Sequence, residues 1–351
     1  MRLSRQRLNR TLLQRQNLLE RVAAAPYDMV RHLVGLQAQE NLPPYLSLAA
    51  RLDDFDPYVV SSALEDASLV RLLTMRGTIH LLTPEDALLL RPWVEPRMQQ
   101  ELRASQSVRE VKHLDGDEFT ATLRDVLEAG PLPQRQLAMA LGARYPDLPQ
   151  NQLGQLARLL APLAQLPPRG CWKQSGGVVY EYVDRWVSGT MAEPTPESVE
   201  EIVRRYLRAF GPASAADVTA WSAVTRLGPV LAGMDDLVRH EDENGKVLYD
   251  VPEGVLADED VPAAVRLLGA YDNVWLSHAS RDRVTDPDAR TAWMAENGAS
   301  AYALFADGWL VGLWRHDEGR ISILQTLRPL TKPEQTELDE EIARVEALLA
   351  R

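Results

Sequence analysis

Gln37 and Gln39 stand one residue apart in the run Gly35-Leu36-Gln37-Ala38-Gln39-Glu40. A carboxamide does not titrate near neutral pH, so neither residue can serve as general acid or base. Each can only donate and accept hydrogen bonds. Chemistry at such a pair needs a placed water and a leaving group that departs without being protonated. Two solvated glutamines are the commoner meaning of the pattern, so its context decides. Geometry adds a condition: on a continuing α-helix, side chains two apart point about 200° away from one another. The two amides share a water only if the helix ends or distorts near Gly35–Ala38, and Asn41 and Pro43-Pro44 favour an ending there. Glu40 is a carboxylate able to activate water. It ranks behind the glutamines because a residue at i+1 usually points elsewhere.

Other chemistries leave no trace. The sequence contains no GxxxxGK[ST] loop, no convincing GxGxxG and no GxSxG elbow. None of the histidines, His32, His80, His113, His240, His278 and His316, falls at HxxxH or HExxH spacing. Cys171 is the single cysteine, which excludes a disulfide framework and a cysteine-based metal site. Asp53-Asp54-Phe55-Asp56 and Asp258-Glu259-Asp260 read as solvated loops. No metal and no cofactor is expected.

The formal net charge is −12, from 38 basic and 50 acidic residues, which on its face argues against nucleic acid. Distribution matters more. The only lysines are Lys112, Lys173, Lys246 and Lys332, whereas Arg2, Arg5, Arg7, Arg10, Arg15 and Arg21 crowd the first helix against a single acid, Glu20. Arginine suits bidentate contact with phosphate, although a GC-rich coding sequence also favours it. The longest apolar runs fall short of a membrane span, and the first residues run directly into polar helix. A cytoplasmic location is the expectation.

Three times the pattern runs helices and then a two-stranded hairpin. The first pass predicts helices over Leu8–Ala25, Tyr27–Leu36 and Pro57–Ala67, then strands Ser68–Thr74 and Thr78–Leu82 joined through Met75-Arg76-Gly77. The second predicts helices Asp117–Glu128, Pro133–Leu141 and Asn151–Leu160, with strands Leu163–Leu166 and Val178–Val183. The third predicts helices Thr195–Phe210, Ser214–Ser222 and Ala223–Ala232, with Ser214 as N-cap. Its strands, Leu237–His240 and Val247–Tyr249, flank Asn244-Gly245, a strong hairpin signal. Beyond Pro262, strands are predicted at Val265–Leu268, Val274–Leu276, Trp309–Trp314 and Arg320–Leu324, and a charged helix at Pro333–Leu349. The fold class is α+β and helix-rich: three tandem winged helix-turn-helix modules, at 1–115, 116–193 and 194–261, and a small C-terminal β element at 262–351.

The stretches around the glutamines carry a family resemblance. Arg31–Gln39, Pro44–Leu52, Arg76-Gly77-Thr78-Ile79-His80-Leu81, Phe210–Asp217 and Tyr271–His278 resemble, in order, the AlkZ/YcaQ-type winged-helix DNA glycosylases. The Gln-apolar-Gln pattern is similar to the AlkZ branch, whereas the YcaQ branch carries Gln-apolar-Asp. The resemblance implies a concave DNA-binding face and hydrolysis of the N-glycosidic bond of cationic N7-alkylguanine in double-stranded DNA. It further implies activity on bulky adducts and interstrand crosslinks left by alkylating natural products, in self-resistance or repair. Gln37 and Gln39 take the catalytic positions.

The residues agree with that chemistry. A purine alkylated at N7 leaves as a neutral base and needs no general acid. With so few lysines, an amine nucleophile for a lyase step is scarce. Arg5, Arg7, Arg10, Arg76, His278, Arg281 and Arg283 are the candidate DNA contacts. The protein is expected to act as a monomer in an open groove, attacking the sugar without burying the nucleotide. The competing reading is a winged-helix transcriptional regulator without catalysis.

Overall fold

The computed structural model describes residues 1–295 and 302–351. Its largest sheet grows from short segments that, β4 apart, are largely buried, polar residues such as Gln37, Arg71 and His80 included. Leu36–Gln37 (β1), Val70–Leu73 (β2), Ile79–Leu82 (β3), Leu132–Pro133 (β4), Leu163–Gln165 (β5) and Val179–Tyr182 (β6) pair in the order β1-β3-β2-β5-β6-β4, every contact antiparallel. The Leu72–Ala164 pairing fuses the first and second hairpins. The sheet therefore runs across the expected boundary at 115/116, and β1 forms one of its edges.

Val238–Glu241 (β7) and Val247–Asp250 (β8) make a separate hairpin whose turn uses Gly245 at φ +80°. Arg266–Leu268 (β9), Tyr302–Ala306 (β10), Trp309–Asp317 (β11) and Arg320–Thr326 (β12) form the C-terminal sheet, ordered β12-β11-β10-β9. The rest is largely helical, so the α+β expectation holds. Buried apolar side chains from Leu12 to Leu349 pack as one continuous core, and a small separate cluster of Leu3, Leu8 and Leu248 lies under the β7–β8 hairpin.

Caps explain several boundaries. Ser214 and Asp217 form a reciprocal capping box at the start of helix Ala215–Ser222, as do Thr331 and Glu334 before helix Lys332–Ala350. Four expectations need correction. The helix predicted over Ala223–Ala232 forms only at Gly228–Gly233, because Ala223 takes a left-handed φ of 64°. The first helix stops at Arg15, because Asn17 takes a left-handed φ of 50°. The second helix spans only Pro26–His32. Val34 (φ 52°) and Gly35 (φ +97°) then swing the chain into β1, so Leu36 is strand. A Cβ on Gly35 would sit 2.5 Å from Leu82 Cδ2, so both φ and space demand glycine there. Val274–Leu276 is not a strand but part of helix Asn273–Leu276, because Asp272 Oδ1 accepts from Val274 N at 3.0 Å and caps it. Helices Pro43–Ala49, Pro84–Trp93 and Glu95–Ala104, and strand β10, were not anticipated.

Candidate active site

The chain is strand at Leu36–Gln37 and bends at Gln39, which meets the condition that the helix must end before the motif. Leu36 and Gln37 pair with Leu81 and His80, and the Ala38 N–H donates to Ile79 O at 2.7 Å. Both glutamines reach the same hairpin segment: Gln37 Oε1 accepts from Arg76 Nη2 at 3.0 Å, and Gln39 Oε1 accepts from Ile79 N at 3.3 Å. Gln37 is buried and Gln39 exposed.

The motif's backbone is held from three sides. Asn273 Nδ2 donates to Gly35 O at 3.0 Å, and Arg71 Nη2 donates to Ala38 O at 2.8 Å. Arg71 comes from β2 and is buried, so its guanidinium is pulled down to about 10 by desolvation, with Arg169 adding repulsion. It passes Gly170, where a Cβ would lie 2.4 Å from its Cδ. Asp272, next to Asn273, receives both Arg51 guanidinium nitrogens at 2.8 Å and Ser47 Oγ at 2.5 Å, all fully buried. Breaking such a pair costs about 3–5 kcal/mol. Arg51 and Ser47 lie just downstream of the glutamines, so Asp272-Asn273 ties both flanks of the motif to one helix cap. Sequence reasoning missed Arg71, Asp272 and Asn273 as site residues. Cap-type residues within the resembling Tyr271–His278 stretch were the available signal for two of them; Arg71 had none.

Arg76 sits in the turn between β2 and β3 at φ 58°. Besides Gln37, it donates through Nη2 to His80 Nε2 at 3.0 Å and through Nη1 to the Trp221 carbonyl. That carbonyl belongs to the last turn of helix Ala215–Ser222, where a cation is favoured. Arg76 and Arg71 have no carboxylate within ion-pair distance among the described residues. Burial pulls Arg76 down to about 10, helped by the nearby charge of Arg281. His80 is buried and held neutral, well below its ordinary value, by desolvation and then by Arg76. Its Nδ1 must carry the proton, because the partner, Thr78 O at 3.0 Å, can only accept.

These contacts decide how the amides face. A guanidinium and a backbone N–H only donate. The atom of Gln37 meeting Arg76, and that of Gln39 meeting Ile79, must therefore both be oxygen. Each amide nitrogen is left without a protein partner among the described residues. Glu40 is exposed, 3.5 Å from Tyr271 Oη. Burial raises the Tyr271 phenol and pushes Tyr302 to about 12, and the Glu40 charge adds to both.

The remaining candidates scatter. The first-helix arginines do not form a free phosphate face, because their charges meet partners within the protein. Arg10 is buried, donating to Val261 O at 2.7 Å and paired with Asp307. Arg5 lies 4.5 Å over the Trp309 ring and donates to Thr285 O at 3.0 Å. Arg7 is half-buried, 4.0 Å from Asp258. His278 is buried too, with Nε2 donating to Phe210 O at 3.1 Å and Nδ1 accepting from Ser277 Oγ at 2.9 Å. Desolvation, with Arg283 second, pushes it down to about 3. Arg283 is itself buried. Arg281 is half-buried and acts electrostatically on Arg76, so it alone of these six stands beside the motif. Among the described residues, no cluster of three His, Cys, Asp or Glu could hold a metal, and no helix is long and apolar enough to cross a membrane.

Comparisons with known proteins follow the same line. The family model described as DNA glycosylase AlkZ-like matches residues 30–348. The interstrand DNA cross-link repair glycosylase of Streptomyces sahachiroi is 28% identical over 326 residues, covering 86% of this chain and 85% of that protein. The solved structure of Streptomyces sahachiroi DNA glycosylase AlkZ matches with a TM-score of 0.84 at 23% identity, over 100% of this chain and 98% of the other, which is a likeness of fold. The reading as a regulator without catalysis is set aside, since with 319 of its 351 residues inside that family model the chain belongs to the AlkZ-like DNA glycosylase family.

Proposed function

We propose that this glycosylase acts on double-stranded DNA and hydrolyses the N-glycosidic bond of cationic N7-alkylguanine, bulky adducts and crosslinks included, with Gln37 and Gln39 placing the water. One observation carries the reading. Two amides that cannot titrate converge on one hairpin, their oxygens pinned by obligate donors, at the edge strand of a sheet. We read the three helix-and-hairpin units as winged-helix modules that present this edge to DNA.

The pinned orientation refines the chemistry expected from the sequence. From the sequence the two amides were expected only to share a placed water. Here the Gln37 oxygen already serves Arg76, so its Nε2–H donates to the water. The second lone pair of Gln39 Oε1 accepts one of the water's protons. The water's other lone pair then attacks C1′. The O–C1′ bond forms as the C1′–N9 bond breaks, and the N9 electron pair neutralises the imidazolium ring of the departing base. The attacking water loses its proton to solvent. Orientation of this kind is worth orders of magnitude, and a single placed donor about 10²–10³-fold. With Arg71 and Arg76 buried against the motif, the half-buried Arg281 is the cation left to attract a flanking phosphate despite the acidic whole.

The test is release of free 7-methylguanine from alkylated duplex DNA, leaving an abasic site. Wild type should release it, and Gln37→Ala and Gln39→Ala should lower the rate by about 10²-fold or more. Full activity in both variants would refute the assignment. Unhooking of an N7-linked crosslink, scored as strand separation on a denaturing gel, tests the wider substrate range.

A further inference from the structure

Arg71, Arg158 and Arg169 gather at the β2–β5–β6 part of the large sheet with no carboxylate to neutralise them. Direct cross-strand partners share a face. Arg71, Gln165 and Tyr180 therefore fall in one row beside the Leu72–Ala164 pair, on the face away from Gln37 and His80. Arg169 follows β5, next to the Gly170 that Arg71 passes, and its charge repels Arg71. Arg158 stands in the last turn of helix Gln150–Leu160, where a cation is favoured; Arg169 has no such reason to be there. Burial raises the Tyr180 phenol, and the charges of Arg158 and Arg169 both work against this, so both guanidinium groups lie near that ring. Both arginines are half-buried, and among the described residues neither has a hydrogen-bond or ion-pair partner. Elsewhere the pattern is the opposite: Arg10, Arg15, Arg21 and Arg51 each meet a carboxylate. In a chain of net charge −12 acids are in excess, so their absence here belongs to the place. Cations held together repel, and an oxyanion between them turns that cost into attraction.

The loop that carries Arg169 turns the β5–β6 hairpin, the wing of the second module on the reading above. Its root is fixed: Tyr45 Oη donates to Gly170 O at 2.7 Å, and Trp172 N donates to Ser61 Oγ at 2.8 Å. Its tip, residues 173–177, is exposed and begins with Lys173, which has no acid partner among the described residues. The other two wings are taken up within the protein. Arg76 in the first is buried against Gln37 and the Trp221 carbonyl. Asp242 and Glu243 in the third are acidic, and their carbonyls receive Arg2. We propose that Arg158 and Arg169 clamp one phosphate of the DNA backbone against the second wing. Guanidinium groups suit the oxygens of a phosphodiester, which they can meet bidentately. The assignment rests on the glycosylase reading, and it adds a holding site apart from Arg281 and from the reacting sugar. Its loss costs affinity for DNA of any sequence.

The experiment measures binding of an undamaged duplex between about 50 and 200 mM salt. Wild type is compared with Arg158→Gln, Arg169→Gln and the double variant. Arg208→Gln is the control, since it removes a guanidinium that Glu201 and Glu253 already neutralise. The double variant should lower the slope of log K against log salt by about 0.9, the share of one phosphate, while the control keeps the wild-type slope. Arg169→Lys should restore most of the slope lost in Arg169→Gln. In release of 7-methylguanine the loss should fall on the DNA concentration needed for half-maximal rate, and Tm should not drop, because the substitutions relieve repulsion. An unchanged slope overturns the clamp, and so does an equal fall in Arg208→Gln, which would report net charge alone. A lower Tm with a lower maximal rate also overturns it, because the arginines would then be structural. If inorganic phosphate raises the Tm of wild type but not of the double variant, while both keep the same DNA slope, the pair binds a free anion and the DNA assignment falls. The slope needs no chemistry, so a wild type that binds duplex and releases no base brings down the glycosylase reading alone.

Discussion

Replacing Arg76 by methionine separates two roles for this side chain. On the sequence it is a phosphate contact at the tip of a hairpin; in the structure it grips Gln37. The stability change should be small. Desolvation draws the guanidinium from 12.5 to about 10, on the order of 3 kcal/mol of penalty that the substitution relieves, less for the part that reaches solvent. Against this, Gln37 Oε1, His80 Nε2 and the Trp221 carbonyl each lose a donor, at about 1–3 kcal/mol apiece if no water replaces it. Where water replaces those donors the opposing effects are of similar size, and Tm should shift by only a few degrees. Catalysis should suffer more. Freeing the Gln37 side chain restores up to about 2 kcal/mol of rotamer entropy that the transition state must then remove. That is roughly a 10–30-fold fall in single-turnover base release, with little change in KM. The decisive measurement is the double-mutant cycle. If Arg76 acts through Gln37, Arg76→Met adds nothing to the loss already caused by Gln37→Ala. Multiplicative losses, together with a shallower salt dependence of DNA binding in Arg76→Met, would refute the argument and restore the phosphate contact.

Three further outcomes follow from the same geometry. The rate of base release should be flat from about pH 7 to 9, because no amide titrates, His80 is already neutral and Arg76 keeps its proton until about 10; a bell-shaped profile would point to a titrating base instead. Acid should destabilise the fold. The folded pKa values of His80 and His278 lie below the unfolded value, so their contribution is complete above about pH 6.5. It is lost as pH falls from there through the depressed folded value of each histidine, about 3 for His278. A Tm unchanged between pH 7 and pH 5 would contradict this. Asn273→Ala should slow base release about tenfold with only a modest loss of Tm, since it frees the Gly35 carbonyl just before the motif. Equal effects on rate and stability would make Asn273 merely structural.

Local signals carried much of the architecture. Ser214 before an amphipathic run, Asn244-Gly245 between apolar strands and the charged C-terminal helix all formed as written, because caps and tight turns are settled within a few residues. The chemical character of the site was legible too: the inability of Gln37 and Gln39 to titrate follows from residue type, and so does the need for a leaving group that departs unprotonated. Even the helix break was foreseeable as a requirement, though Gly35 and its neighbours placed it earlier than the prolines suggested. What the local sequence could not hold was partnership across the chain. The six-stranded sheet joins β2 to β5 through residues about ninety positions apart. The first-helix arginines, a basic face by composition, turned inward because carbonyls and carboxylates from residues 250–310 meet them there. Arg71, Asn273 and Asp272 reach the motif from 33 to more than 200 residues away. The direction in which Gln37 points is likewise tertiary. An amide is symmetric enough to face either way, and only a buried guanidinium that can donate but never accept decides that its oxygen lies inward and its nitrogen is left for the water.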